Sequence, residues 1–427
     1  MSVLFYAWGE PFWVLLLLFT TLINYVAGRM IETSRGSAKA KAVLIVCVII
    51  NLSLLAVFKY LNFFLDSLGF LIGTEFAVLS IGLPIGISFY TFQTLTYTID
   101  LYRGKVGLQK SFMNLLLYVS LFPQLIAGPI LRYSDVEAQI TSRTVTFKKT
   151  SQGIIRFCVG LGKKVLIANA AGALASGVLD GPLGGLPVAN SWFGILMFSF
   201  QIYFDFSGYS DMAIGLGKIF GFEYPENFAH PYMSKSITEF WRRWHISLGS
   251  FFRDYVYIPL GGNRKRQLLN LLIVWFLTGL WHGAAWNFVL WGLYYFVFLV
   301  LEKYIVNRLP KKLSFVMGAI YTFPIVLMGW VLFYYTDMSR LLQFVQALFG
   351  ANGAGFSGAD TLTLWLENLP LLILSAVGST ALMVKLFKRV NEKVRLPLGF
   401  AFALILLILC TQALVGQSYN PFIYFRF

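Results

Sequence analysis

Apolar runs of helix length recur along the chain from Phe12 to Phe427, and only short polar loops or surface helices separate them. A membrane-spanning helix needs about 20 mostly apolar residues, and most of these runs approach that length. The pattern therefore predicts an all-α, polytopic integral membrane protein that forms a single domain over residues 1–427.

Loops rich in lysine and arginine alternate with loops that carry almost none, and basic loops tend to stay in the cytoplasm. The basic loops contain Arg29, Arg35, Lys39 and Lys41; Lys303, Arg308, Lys311 and Lys312; and Lys385, Lys388, Arg389, Lys393 and Arg395. The links poor in basic residues are Asp66–Glu75, Leu179–Asn190 and Asp337–Glu367. We expect these links, and the C-terminus, on the outer face.

Two apolar segments break the simple series of spans. Phe112–Ile130 is interrupted by proline and glycine and has basic loops at both ends, which favours a re-entrant or broken element. Leu268–Leu280 reaches only about 20 Å as a helix, short of the ~30 Å hydrocarbon core. We predict a hairpin over residues 268–301, with His282 near its apex in a Trp-His-Gly turn at membrane depth.

Residues 220–266 mix charged and aromatic side chains, which predicts a cytoplasm-facing amphipathic region at the membrane surface. Ser236 and Glu239 have the S-x-x-E spacing of a capping box, so a helix is expected to begin near Ile237. His245 is predicted to lie on that helix. The third histidine, His230, is expected in a loop.

Composition supports the membrane assignment, because 58% hydrophobic and 12% charged residues leave too little polar surface for a soluble globule. The net charge of +15 is spread over several loops, so we expect membrane lipid and not nucleic acid as its partner. The three cysteines lie far apart and predict neither a disulfide framework nor a zinc site. The start of the chain lacks the basic residues of a cleavable signal peptide.

An ionisable side chain at membrane depth indicates a functional site, and His282 is the foremost example. The sequence contains no G-x-S-x-G elbow, no H-E-x-x-H pair and no phosphate-binding loop. We therefore consider histidine acting alone or as a pair, a chemistry suited to acyl transfer because imidazole both accepts and donates a proton near neutral pH. The alternative is that His282 is packed and bonded to a backbone carbonyl, and that His245 is a surface residue.

Asp205 and Asp211 lie in an apolar stretch and need partners. Either of them orients a catalytic histidine or pairs with Arg242 or Arg243; the alternative is a structural polar network. Trp244, Trp281 and Trp286 would shape a water-poor passage or act as interfacial anchors. The arginines would bind donor phosphates or simply lie near lipid headgroups.

Five strings resemble one family: LPIGISFYTFQTLTYTIDLYRG, QIYFDFSGYSDMAIGLG, ITEFWRRWHISLGSFFRDYVYIPLGGNR, TGLWHGAAWNFVLWG and the terminal SYNPFIYFRF. They resemble bacterial membrane-bound O-acyltransferases of the branch that acetylates alginate, other exopolysaccharides or peptidoglycan. The resemblance implies a ring of tilted transmembrane helices, with re-entrant and interfacial helices, around a thin centre. It also implies that the chain lacks the hydrophobic segment that usually precedes the counterpart of Phe5.

By this resemblance His282 and His245 are the catalytic candidates. The candidate substrate-binding residues are Trp281, Trp244, Arg242, Arg243, Asp205, Asp211, Tyr203, Ser207 and Asn287, and no metal or bound cofactor is expected. The donor would be an acetyl-coenzyme A or acyl-carrier-protein thioester, and an extracytoplasmic esterase-like acetyltransferase the partner. The enzyme would lie in the bacterial inner membrane. The competing functions are an acyl-group or lipid-linked sugar transporter without covalent catalysis, and D-alanyl transfer to teichoic acid.

Overall fold

The computed structural model describes residues 1–77, 82–125 and 128–415, and no β-strand occurs within these ranges. The prediction of an all-α fold is therefore confirmed. The terminal SYNPFIYFRF string, like Ile126 and Ala127 of the predicted broken element, lies outside the described residues.

The described chain separates into two compact units. The first comprises Met1–Gly153 and Ala213–Pro225, and the second comprises Ile154–Met212 and Glu226–Phe427. The prediction of a single domain over residues 1–427 stays a prediction.

The helices of the first unit are α1 (Ser2–Gly9), α2 (Val14–Thr33), α3 (Ala38–Ile72), α4 (Ile87–Tyr102), α5 (Phe112–Ser120) and α6 (Tyr133–Thr141). Helix α5 ends after nine residues and Leu121 is extended, so the segment from Phe112 is broken as expected. Helices α2, α3 and α4 share buried hydrogen bonds from Asn24 to Asn51 and from Thr98 to Asn24, of 3.0 and 2.7 Å. Such bonds join helices where no water is present to compete.

Two helices, α7 (Phe147–Gly162) and α9 (Val188–Ile219), begin in one unit and end in the other. The further helices are α8 (Asn169–Leu179), α10 (Ile237–Arg243), α11 (Ile246–Phe252), α12 (Gln267–His282), α13 (Trp286–Tyr304), α14 (Lys311–Tyr334), α15 (Met338–Leu348), α16 (Thr361–Glu367), α17 (Leu369–Gly378), α18 (Leu382–Arg389) and α19 (Glu392–Leu414). Turns of π-helix occupy Lys163–Ala168 and Arg253–Tyr257, and turns of 3₁₀-helix occupy Pro231–Met233 and Val306–Arg308.

Among the described residues, four helical stretches are long and apolar enough to cross a membrane: Val14–Thr33, Ala38–Ile72, Phe147–Leu179 and Glu392–Leu414. A fifth crossing results if α16 and α17, which meet at 54°, form one broken span. Helix α12 is apolar but has only 16 residues, about 24 Å, and so remains shorter than the ~30 Å hydrocarbon core.

Candidate active site

Helices α12 and α13 form the predicted hairpin, with bounds slightly wider than the sequence indicated. They pack tightly because two glycines lie at the contact: a Cβ at Gly279 would overlap the carbonyl oxygen of Phe288, and one at Gly292 would overlap that of Trp275. The pairs 279–288 and 275–292 have the spacing of two antiparallel helices about one apex. A glycine at each position therefore permits the backbones to touch.

His282 is the last residue of α12. The turn that was predicted over Trp281-His282-Gly283 begins only at Gly283, the residue after His282. The expectation that Trp281 and His282 belong to the turn is wrong, because the helix continues through both. Gly283 is extended, and a Cβ there would overlap the ring of Phe288. The chain thus reverses through Gly283, Ala284 and Ala285.

Aromatic rings surround His282, which is only 6% exposed. Its ring centroid lies 5.0 Å from Trp281, 4.9 Å from Trp291 and 5.3 Å from Phe333. The imidazole is therefore held in an apolar cage that excludes most water.

Helix α10 begins at Ile237, as the sequence predicted, and the Ser236 Oγ accepts a hydrogen bond of 3.0 Å from the backbone N–H of Glu239. The reciprocal bond is shifted by one residue, since the Glu239 carboxylate accepts from the N–H of Lys235 at 2.8 Å. Glu302 of α13 accepts hydrogen bonds from the N–H groups of Ile237 and Thr238. The first turn of α10 is thus capped by its own Ser236 and by Glu302 of the α12–α13 hairpin.

His245 does not lie on that helix, and this part of the prediction is wrong. Helix α10 ends at Arg243, and His245 has a left-handed backbone with φ 45°. The helix ends here because residues 227–229 form backbone hydrogen bonds with this part of the chain. The N–H of Ala229 donates to the Arg243 carbonyl, and the N–H of Ile246 donates to the Asn227 carbonyl, each at 2.9 Å. These bonds turn the chain before α11 begins.

The side chain of His245 is buried, with 1% exposure, and is not a surface residue. Its ring contacts Phe206 at 4.7 Å and Trp281 at 5.6 Å between centroids. Burial lowers the pKa of His245 to about 3, so the imidazole is neutral near pH 7. Its Nδ1 lies 3.1 Å from the Oδ1 of Asn227.

The ring of Trp281 contacts both histidines, at 5.6 Å from His245 and 5.0 Å from His282. Trp244 joins this aromatic cluster through Phe228, which lies 5.1 Å from Trp244 and is stacked on His245 at 6.5 Å. Trp244 in turn lies 6.1 Å from Tyr203. The structure therefore brings together five of the predicted site residues, His245, His282, Trp281, Trp244 and Tyr203.

Trp286 does not belong to that cluster's interior, because it is 55% exposed. The ring therefore does not line the aromatic cluster, and its role as an interfacial anchor stays a prediction. Asn287 is fully buried behind the cage, where its Nδ2 donates to the carbonyls of Leu332 and Phe333 at 3.2 and 3.4 Å. These hydrogen bonds join α13 to α14 next to Phe333, whose ring contacts His282.

The two aspartates on α9 form ion pairs with the preceding helical segment. Asp211 pairs with Arg156 at 2.7 Å and Lys163 at 2.6 Å, and Asp205 pairs with Lys164 at 2.5 Å. Six residues on an α-helix turn by about 600°, so the two carboxylates lie on different sides of α9. Lys163 and Lys164 are neighbours in the π-helical turn, and each pairs with the aspartate on a different side of α9. These contacts agree with a structural polar network.

The predicted arginine partners lie elsewhere. Arg243 pairs with Glu239 at 2.7 Å and donates to the Ala229 carbonyl at 3.2 Å, whereas Arg242 is exposed. The nearest polar contact described for the Nδ1 of His245 is the Oδ1 of Asn227, at 3.1 Å. Ser207 is buried on α9, one residue after the Phe206 ring that contacts His245.

Sequence reasoning missed Asn227. It stands in a proline-containing loop, 18 residues before His245, and no periodicity or known motif in the sequence marks it. Within the described ranges, no three His, Cys, Asp or Glu side chains are grouped as metal ligands.

Comparison with known proteins gives one consistent family. The sequence model described as "MBOAT, membrane-bound O-acyltransferase family" matches residues 105–345, which contain both histidine motifs. The chain is 37% identical to "Probable alginate O-acetylase AlgI" of Pseudomonas putida, over 100% of this chain and 93% of the relative. It is 41% identical to the protein of the same name from Pseudomonas aeruginosa, over 87% and 74%. It is 35% identical to "Peptidoglycan O-acetyltransferase" of Helicobacter pylori, over 82% and 73%.

Proposed function

Because the chain belongs to the membrane-bound O-acyltransferase family and is a multi-pass membrane acyltransferase, we propose that it acetylates a cell-surface polysaccharide. The acceptor class is alginate, a similar exopolysaccharide or peptidoglycan, because the similar proteins carry these names. The location proposed is the inner membrane of a bacterium.

One observation supports this proposal above the others. The two motif histidines, 37 residues apart in the sequence, are buried in one aromatic cluster, with the Trp281 ring in contact with both. A merely structural histidine needs a hydrogen-bond partner but does not need a second histidine or a water-poor aromatic surround. A thioester does benefit from such surroundings, since water would hydrolyse it.

In the proposed reaction His282 is the general base. Its imidazole takes the proton from an acceptor hydroxyl while that oxygen attacks the thioester carbonyl carbon. The carbon–sulfur bond then breaks, and the imidazolium returns the proton to the leaving thiolate. The products are the acetyl ester and the free thiol, so the histidine ends in its starting state. His245 is proposed to hold the substrate beside this base.

The donor proposed is a cytoplasmic thioester of coenzyme A or of an acyl carrier protein. Arg242, which is exposed at the end of α10, is the proposed contact for its phosphate groups. Arg243 is less suited to that role because it already pairs with Glu239. On the other face, an extracytoplasmic esterase-like transferase is the proposed partner that delivers acetyl groups to the polymer.

The test uses purified protein in liposomes with acetyl-labelled coenzyme A or acetyl-labelled carrier protein in separate arms. Each arm receives alginate or peptidoglycan fragments, with and without the proposed esterase-like partner. Ester-linked label on the polymer is the part that alkaline hydroxylamine releases and that neutral hydroxylamine, which cleaves thioesters, does not. Ester-linked label on either polymer supports the proposal. Label that crosses the bilayer without forming an ester supports a transporter instead.

A further inference from the structure

Asn227 is buried beside His245, and all of its side-chain polar atoms have partners. Its Oδ1 receives the backbone N–H of Ser247 at 3.2 Å and the Ser247 hydroxyl at 2.9 Å. The same oxygen lies 3.1 Å from Nδ1 of His245, and the Asn227 Nδ2 donates to the Oγ of Ser210 at 3.2 Å. Four groups thus converge on one amide.

These contacts fix which end of the amide faces His245. A backbone N–H can only donate, so the Asn227 atom that faces the Ser247 N–H must be the oxygen. That oxygen can only accept. The Ser247 hydroxyl, which lies 3.5 Å from the Nδ1 of His245, gives its single hydrogen to the same oxygen at the shorter distance of 2.9 Å. The Nδ1 of His245, 3.1 Å from the oxygen, therefore carries a hydrogen and donates it. A neutral imidazole has a single N–H, and the other ring nitrogen, Nε2, therefore carries a lone pair.

The Nε2 atom is buried and has no hydrogen-bond partner among the residues that the structure describes. The imidazole of His245 contacts the aromatic rings of Phe206 and Trp281, and Trp281 also contacts His282. An acceptor left without a donor at a buried site is unfavourable unless a ligand supplies the donor.

We infer that Asn227 is a positioning residue that holds His245 as the Nδ1–H tautomer and so makes Nε2 a hydrogen-bond acceptor for a substrate O–H or N–H group. The inference rests on the proposed function for the identity of the substrate, but the tautomer itself does not depend on it.

The tautomer is measurable by ¹⁵N NMR on protein labelled at the histidine rings and held in lipid nanodiscs. The chain has only three histidines, so the His245 signals are assigned by their loss in His245→Gln. We expect a protonated Nδ1 and an unprotonated Nε2 in the wild type. A wild-type signal from an Nε2–H tautomer would overturn the inference.

Two substitutions test the cause. Asn227→Leu removes the acceptor and is expected to populate the Nε2–H tautomer, whereas Asn227→Asp keeps an acceptor oxygen and is expected to retain Nδ1–H. The matched control is Asn270→Leu, which removes another buried amide of the same unit that donates to the carbonyls of Gly262 and Lys265. Unchanged Nδ1–H in a folded Asn227→Leu protein would refute the role of Asn227.

Transfer rates supply a separate readout. If His245 acts through Nε2, Asn227→Leu lowers kcat, by up to about 10⁴-fold where a wrong tautomer abolishes the step, and Asn227→Asp restores part of it. A tautomer shift without any change in kcat would retain the positioning role but remove His245 from the proposed reaction. The NMR measurement therefore tests the tautomer, and the transfer measurement separately tests whether His245 takes part in the proposed reaction.

Discussion

Replacing Glu302 tests whether the α12–α13 hairpin stabilises α10, the helix that precedes His245. Glu302 is 2% exposed, and its carboxylate accepts the N–H of Ile237 at 2.5 Å and of Thr238 at 3.0 Å. It also accepts the Tyr321 hydroxyl at 2.8 Å. The first N–H groups of a helix have no partner within the helix, so this carboxylate supplies what α10 lacks.

The magnitude follows from these contacts. Glu302→Leu leaves one buried and one partly buried backbone donor without an acceptor, at about 1–3 kcal/mol each. Removing a buried carboxylate recovers some of its desolvation energy, so we expect a net loss of about 2–4 kcal/mol in the free energy of unfolding. Glu302→Gln keeps one acceptor oxygen and should lose about half as much.

The assay has two parts. Unfolding in detergent micelles measures the global loss, and hydrogen exchange of the peptide that contains Ile237 and Thr238 measures local opening of α10. The matched control is Glu367→Leu, which replaces an exposed glutamate. If Glu302→Leu unfolds like the wild type and α10 exchanges no faster, the carboxylate is not the cap that holds this helix.

Two further predictions concern the hairpin and the buried imidazole. Gly279→Ala should destabilise the protein by about 1–3 kcal/mol because the new Cβ meets the Phe288 carbonyl, whereas Gly177→Ala, with open space around it, should not; equal unfolding of the two would contradict the close packing. Burial lowers the pKa of His245 from 6.5 to about 3, so only the unfolded chain takes up this proton as pH falls between those values. Wild-type stability should therefore fall below pH 6.5 by up to about 1.4 kcal/mol per pH unit more than that of His245→Gln, and parallel curves would contradict a buried neutral imidazole.

The hairpin and the start of α10 were predictable because their signals are local. A short apolar run that ends near glycine indicates a short helix, and Ser236 three residues before Glu239 indicates a cap. The observed hairpin, Gln267–Tyr304, extends one to three residues beyond the predicted range of 268–301. Helix ends depend on packing, such as that of Gly283 against Phe288, which the sequence does not show.

The environment of His245 was not predictable in the same way. The sequence pattern correctly predicts a helix as far as Arg243. The helix ends there because of backbone hydrogen bonds with residues 227–229, and those bonds form only in the folded protein. The same reason applies to Asp205, whose partner Lys164 lies on a different helix, 41 residues earlier in the chain. Partners that come from distant segments leave no periodic signal in one sequence.

Acetyl transfer by histidine variants in liposomes tests most directly whether the reaction depends on His282. His282→Ala is compared with the wild type and with His230→Asn, a control at a loop histidine whose left-handed backbone asparagine tolerates. Size-exclusion elution and unfolding curves establish that each variant is folded. We expect labelled acetyl esters from the wild type and from His230→Asn, and none above background from His282→Ala. Wild-type rates from a folded His282→Ala protein would contradict a histidine-dependent mechanism.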